Sequence, residues 1–232
     1  MTVRATLVGA GGLGGPLAYA LGAAGIELTI VDRDRVELSN LHRQIQFGDD
    51  DLGANKAERL ASHVASRGGQ ARGYALHWTA EDADELGGDA DIIIDASDDP
   101  ITKFAVADWA VANGRLYVIA AAIRYGGNVM VGAPGAACYR CLFEAPVEAL
   151  SCGTAGVLGP VVGAIGGLAG GLAIGLVRGD RTHAGSLFAL ADLRSSVEPR
   201  IVRFAPRRGC PACANALVSP FEPPPVVVAE VR

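Results

Sequence analysis

Ala5-Thr6-Leu7-Val8-Gly9-Ala10-Gly11-Gly12-Leu13-Gly14 runs from an apolar stretch straight into a glycine-rich turn. A second apolar stretch, Leu28-Thr29-Ile30-Val31, ends on the acidic Asp32. A glycine turn between a strand and a helix lets the backbone approach phosphates and aims helix N-terminal N–H groups at them. An acidic side chain at the end of the next strand, about 20 residues on, accepts hydrogen bonds from ribose hydroxyls. Gly9, Gly11, Gly12, Gly14 and Asp32 therefore predict a nucleotide site. The competing reading is a tight turn without ligand, with Asp32 capping a helix.

Residues 3–8 and 27–31 read as buried parallel strands around a helix at 13–24. Residues 41–47 and 54–66 are expected to be helical. A strand near 71–77, a short acidic helix near 80–86 and the run Ile92-Ile93-Ile94 leading to Asp95 continue the alternation. A helix at 100–113 and a strand at 116–122 complete a Rossmann-like, doubly wound, mainly parallel α/β sheet. Residues 128–131 extend that sheet, and 186–190 and 200–204 read as later antiparallel strands. In open α/β sheets ligands bind beyond the carboxyl ends of the strands, where strand order reverses. Gly11, Asp32 and Asp98 each follow an expected strand end, so the topology gathers them at one crevice. Residues 1–215 form the expected domain, and 216–232, with Pro223-Pro224-Pro225, an extended tail.

The length of 232 residues suits one α/β domain, or one with a small appendage, able to bury a full core. Half the residues are apolar and the net charge is −5, so nothing points to a nucleic-acid partner. Lys56 and Lys103 are the only lysines among 20 basic side chains, and both fall inside the motifs described below; GC-rich coding bias explains the arginine excess equally well. Residues 1–25 imitate a secretory signal, but that reading consumes the glycine turn. Residues 153–177 carry no charge and are long enough to span a bilayer, with Gly-x-x-x-Gly spacings. Their many glycines favour a buried helix packed closely on its neighbours, and no membrane partner is expected. Four of five cysteines pair as Cys138-x-x-Cys141 and Cys210-x-x-Cys213, a pattern for metal in a reducing compartment. Four thiolates suit tetrahedral structural Zn²⁺, stapling the end of the chain to its middle.

The segment Ser39-Asn40-Leu41-His42-Arg43-Gln44 is one that no dinucleotide-binding dehydrogenase needs. It resembles the adenylating domain of the ubiquitin-activating enzyme superfamily, in its bacterial ThiF/MoeB/HesA branch. Asp51-Leu52-Gly53-x-x-Lys56-Ala57 resembles that family's lysine motif, and Asp95-Ala96-Ser97-Asp98-Asp99-x-x-Thr102-Lys103 its magnesium–ATP aspartate motif. The two cysteine pairs look like its zinc pairs, and Ala155-Gly156-Val157-Leu158-Gly159-Pro160 like the segment after its catalytic loop. These motifs occur in order across residues 5–213.

The resemblance implies adenylation of the C-terminal carboxylate of a small ubiquitin-like sulfur-carrier protein ending in Gly-Gly, with ATP, Mg²⁺ and Zn²⁺ as cofactors. Carboxylate and phosphate are both anionic, so the site must neutralise charge and align the attack. Arg43 can fork two phosphate oxygens, and Lys56 offers a compact point charge. Asp98 would hold Mg²⁺, beside Asp99, and Asn40 would hydrogen-bond the phosphates or the attacking group. Taken singly, each is equally a surface residue in a salt bridge; the combination favours a site. The resemblance maps ThiF's sulfur-transfer cysteine onto Cys152, which precedes an apolar helix whose dipole lowers a thiol pKa. The alternative for Cys152 is a packed, inert thiol. A sulfur-donor protein, a homodimer and a cytoplasmic location complete what the family implies.

Three departures from the family stand out. The chain begins almost directly at the first strand, without the family's arginine-bearing helical arm. Asp99 stands where asparagine is usual, and Lys103 replaces an arginine. Two rival functions remain at this stage: an NAD-dependent oxidoreductase, which leaves Arg43, Lys56 and Asp98 unexplained, and a catalytically silent carrier-binding scaffold.

Overall fold

A computed structural model describes residues 2–146 and 156–214. Eight strands form one sheet in the order β3-β2-β1-β4-β5-β6-β7-β8. The first five in chain order, β1 (Arg4–Val8), β2 (Glu27–Val31), β3 (Ala71–Tyr74), β4 (Ile92–Asp95) and β5 (Leu116–Ile123), run parallel. β6 (Gly126–Gly132), β7 (Ser186–Leu190) and β8 (Arg200–Arg203) continue the sheet antiparallel. This is the mainly parallel, antiparallel-extended α/β architecture expected from the sequence.

The helices cover both faces because the central strands are apolar on both. Ile92 and Ile94 face α1 (Gly14–Ala23), α2 (Lys56–Ser66) and a long helix described below, through Leu17, Leu21, Leu60 and Ile165. Ile93, Tyr117 and Ile119 face the other way, onto α3 (Ala83–Gly87) and α4 (Pro100–Ala112) through Leu86, Phe104, Val106 and Ala107. Alternate residues of one strand thus serve two cores, which is why β4 reads as an unbroken apolar run.

The short α5 (Tyr139–Leu142) follows Cys138, and α6 (Gly159–Val177) is the long glycine-rich helix. With a mean hydropathy of 1.9 over its most apolar window, α6 is long and apolar enough to cross a membrane by length and composition. In the fold it lies across α1, β5 and β6. Val161, Ile165 and Leu176 are at most 1% exposed, each burial stabilising by about 1.5–3 kcal/mol. Glycine permits the contact: a Cβ at Gly166 would stand 2.6 Å from the Leu13 carbonyl oxygen of the glycine loop. Residues 4–23, which imitate a signal peptide, are the central strand β1 and its helix α1.

One expectation fails. Residues 41–47 form turns after a 3-10 turn at Leu38–Asn40, not a helix. Gln44 and Gln46 are both buried while Ile45 between them is 76% exposed. That alternation is incompatible with a helical face; the segment breaks into successive turns that send both glutamines beneath the glycine loop. Cys152 and the tail 216–232 lie outside the described residues.

Candidate nucleotide-binding cleft and cysteine cluster

Val8 is in register with Val31 on one side and Asp95 on the other, so β1, β2 and β4 end level. The segments leaving them surround a cleft of about 640 Å³. It lies where the chain turns from winding β1-β2-β3 on one side to β4-β5 on the other, the position at which open α/β sheets hold ligands.

The glycine loop forms one wall. Gly9 has φ +96°, and a Cβ there would stand 2.7 Å from Ser97 N, so the loop and the turn after β4 touch. Gly11 and Gly12 line the cleft, and their N–H groups have no intrachain acceptor among the described residues. Gly14 opens α1 beneath the Gly9 carbonyl and is not part of the wall. Gln46 Nε2 donates to the carbonyls of Ala10 and Gly11, both at 2.9 Å, bracing the loop from below.

Asp32 lines the cleft and braces the same loop: Oδ2 accepts from Ala10 N at 2.7 Å and Oδ1 from Asp34 N at 2.8 Å. Burial raises its pKa above the usual carboxylate value, against the pull of those N–H groups and of Lys56. Each oxygen keeps a second lone pair free to accept a hydroxyl.

Five lysines and arginines line the cleft, Arg33, Arg35, Arg43, Lys56 and Lys103, and the last three are in different states of commitment. Lys56, 7% exposed, is the first residue of α2 and donates to Asp34 Oδ2 at 3.1 Å. Asn55 fixes it there: its Oδ1 accepts from Glu58 N as helix cap, while its Nδ2 donates to the carbonyls of Asp32 and Asp34. Arg43 is half-buried, donates only to Ser39 O at 3.2 Å and contacts His42, and has no carboxylate partner among the described residues. Asn40, buried beside it, accepts from Arg43 N and Gln44 N through its carbonyl. Lys103 is 6% exposed and tied to Asp95.

Asp98 and Asp99, adjacent on the turn after β4, have different surroundings. Asp98 is exposed on the cleft wall with no hydrogen-bond partner among the described residues. Asp99 is the N-cap of α4, accepting from Ile101 N, Thr102 N and Thr102 Oγ1. Burial works to raise the Asp99 pKa, but the Thr102 and Ile101 bonds bring it below the usual value. Part of the cleft wall is apolar, with Leu76, Trp78 and Phe104, which the sequence did not disclose. Nothing in residues 74–79 marks Leu76 and Trp78 in advance; the end of β3 beside β2 brings them there, and α4 brings Phe104.

The four paired cysteines meet 72 positions apart in sequence: Cys138 Sγ lies 3.5 Å from Cys210 Sγ, and Cys141 Sγ 3.5 Å from Cys213 Sγ. All four sulfurs lie within 4.8 Å of one another, a cluster able to hold a metal ion. Burial pushes the Cys138 thiol up strongly and the Cys213 thiol up to about 12, with the crowded neighbours adding to both. Burial also acts on Cys210, but backbone N–H groups of Cys213 and Ala212 outweigh it and bring that thiol down to about 7. Four thiolates this close need a cation to coexist, so the donor set fits one.

The family model of the ThiF family matches residues 1–212. The chain belongs to the ThiF family. As a ThiF-family chain it is 37% identical over 174 residues to the adenylyltransferase and sulfurtransferase uba4 of Aspergillus fumigatus, covering 68% of this chain and 35% of that protein. It is 39% identical over 163 residues to the adenylyltransferase and sulfurtransferase MOCS3 of Dictyostelium discoideum, covering 67% and 38%. The chain thus spans little more than a third of the length of these curated relatives. In fold it resembles Escherichia coli MccB solved with ATP, with a TM-score of 0.78 at 20% identity over 91% of this chain and 66% of that one.

Proposed function

We propose that this ThiF-family chain is an ATP-dependent adenylyltransferase that activates the C-terminal carboxylate of a small ubiquitin-like sulfur carrier of the ThiS/MoaD type. The observation that carries the reading is Arg43, a guanidinium without a carboxylate partner among the described residues, in a cleft that also holds Lys56, Asp98 and the free N–H groups of Gly11 and Gly12. A dinucleotide dehydrogenase has no use for that concentration of phosphate-directed charge.

In this reading ATP lies with its ribose toward Asp32, its base against the Leu76–Trp78 wall and its phosphates toward the glycine loop. The loop N–H groups, Arg43 and Lys56 bind phosphate oxygens and stabilise the charge that builds as the carrier's carboxylate attacks the α-phosphorus and pyrophosphate leaves. Asn40 orients the attacking group. Asp98 is the carboxylate that would hold Mg²⁺, which supplies charge neutralisation between phosphates when bound. The four-cysteine cluster is proposed as a structural Zn²⁺ site, since four filled positions leave no room for substrate. Cys152 is proposed to take the activated carrier onward toward sulfur, with a sulfur-donor protein as further partner. Homodimer formation and a cytoplasmic location belong to the same proposal.

Pyrophosphate exchange with a panel of carriers ending in Gly-Gly tests the reading. Carrier-dependent exchange is expected, without the fluorescence change of bound nicotinamide nucleotide. Carrier binding without exchange would leave a silent scaffold, and nicotinamide binding an oxidoreductase. Cys152→Ser is expected to keep exchange and to lose carrier thiocarboxylate, read by mass spectrometry.

A further inference from the structure

Lys103 is a buried cation that the adenylation mechanism leaves without a task, although it lines the cleft. Its Nζ lies 2.6 Å from Asp95 Oδ2, 2.6 Å from the Ser97 carbonyl oxygen and 2.7 Å from the Ala120 carbonyl oxygen. A lysine ammonium has three N–H donors, so all are spent inside the protein and none remains for a ligand. The other Asp95 oxygen is equally committed, accepting from Ser97 Oγ at 2.6 Å. Asp95 is fully buried, and burial raises its pKa against the attraction of Lys103.

These bonds converge on one short turn. Lys103 holds the Ser97 carbonyl, which belongs to the peptide unit that leads into Asp98. Asp99 holds the other end by capping α4. Of the three carboxylates Asp95, Asp98 and Asp99, only Asp98 has no partner among the described residues. The Ala120 contact ties the turn to β5, and the Gly9–Ser97 approach ties it to the glycine loop.

We propose that Lys103 is a positioning residue: by gripping Asp95, Ser97 and Ala120 together it fixes the turn that presents Asp98 to the cleft. The inference rests on the adenylation reading only in taking Asp98 as the group that meets Mg²⁺·ATP. Losing such an indirect support typically weakens a metal site by about 10–100-fold. The cost should fall on the magnesium-dependent part of nucleotide binding alone, because Lys103 has no donor to give a phosphate.

The test is calorimetric titration of the full chain with ATP, with and without Mg²⁺. For Lys103→Met the expected result is loss of at least about tenfold of the Mg²⁺ enhancement, with metal-free ATP bound as in the wild type. Should that variant not fold, Asp95→Asn with Lys103→Gln removes both buried charges together and is expected to give the same split. Weaker metal-free binding would make Lys103 a phosphate ligand and overturn the inference. An unchanged Mg²⁺ enhancement in a folded variant would leave it a stability residue and overturn it too, as would a wild type that binds ATP no better with Mg²⁺. A wild type that binds Mg²⁺·ATP but exchanges no pyrophosphate fails the adenylation reading instead, and the Lys103 comparison still stands.

Discussion

The two ends of the sheet solve opposite problems. At the parallel end, strands stop level and leave polar groups open among the described residues: Arg43 without a carboxylate, and Asp98 and the N–H groups of Gly11 and Gly12 without a partner. At the antiparallel end, four sulfurs gather within 4.8 Å of one another, a donor set turned inward on a point where a cation could sit. A cleft that is to bind and release a nucleotide, as proposed for this one, keeps its valences open toward solvent. A site that holds the chain together closes them. The regions meet at α5, where Tyr139 packs edge-on against Phe104 at 4.9 Å and Arg140 forks Asp108 of α4.

Asp98→Ala should separate the two regions most sharply. Pyrophosphate exchange should fall by about 10²–10³-fold or more, as expected for a group acting on transition-state charge. The melting curve should stay in place, because Asp98 is exposed and has no partner among the described residues. Wild-type exchange would remove Asp98 from the mechanism.

Cys213→Ser should do the reverse. Elemental analysis should find the bound metal lost, and the melting temperature should drop by roughly 10 °C or more. The surviving folded protein should still exchange pyrophosphate. If ATP affinity falls as well, the contrast is blurred through α5, whose Tyr139 lines the cleft.

A smaller effect concerns the scaffold behind Lys56. Burial acts to raise the Asp51 pKa, but Gly48 N–H, Arg59 and His63 bring it below the ordinary carboxylate value. Stability from that pairing is present above about pH 4 and is lost as pH falls through the lowered pKa. Asp51→Asn should therefore cost about 1–3 kcal/mol at pH 7 and lose less on acidification. Urea midpoints at pH 7 and pH 3 check both, and an equal acid loss in both proteins would contradict the assignment.

The smallest expected change comes from Asn55→Ala, about 1–2 kcal/mol for loss of the α2 cap. Since Asn55 also ties the Asp32 and Asp34 carbonyls, ATP affinity should weaken in step. A stability loss with unchanged affinity would confine Asn55 to capping.

Much of the cleft was legible because its chemistry is local. Gly9 needs a positive φ and close approach, and Asp32 follows a strand end, so short spacings announce both. The cysteine pairs were legible for the same reason. Residues 41–47 were misread because helical propensity is a local average. Their path of broken turns is set by where Gln44 and Gln46 must go, under a loop more than 30 positions earlier.

Sequence alone determined the strand alternation, the glycine loop and the two cysteine pairs, since each depends on residues a few positions apart. Tertiary structure alone decided three further matters. It left Asp98 without a partner among the described residues while committing Asp99 to a helix cap, and it turned Lys103 inward to three acceptors. It also raised an apolar wall of Leu76, Trp78 and Phe104 from two separate elements. The physical reason is common to all three: whether a charge or ring serves a ligand or the fold depends on which partners lie within a few ångströms. Those partners are brought there by strand register and helix packing, which no short window of sequence contains.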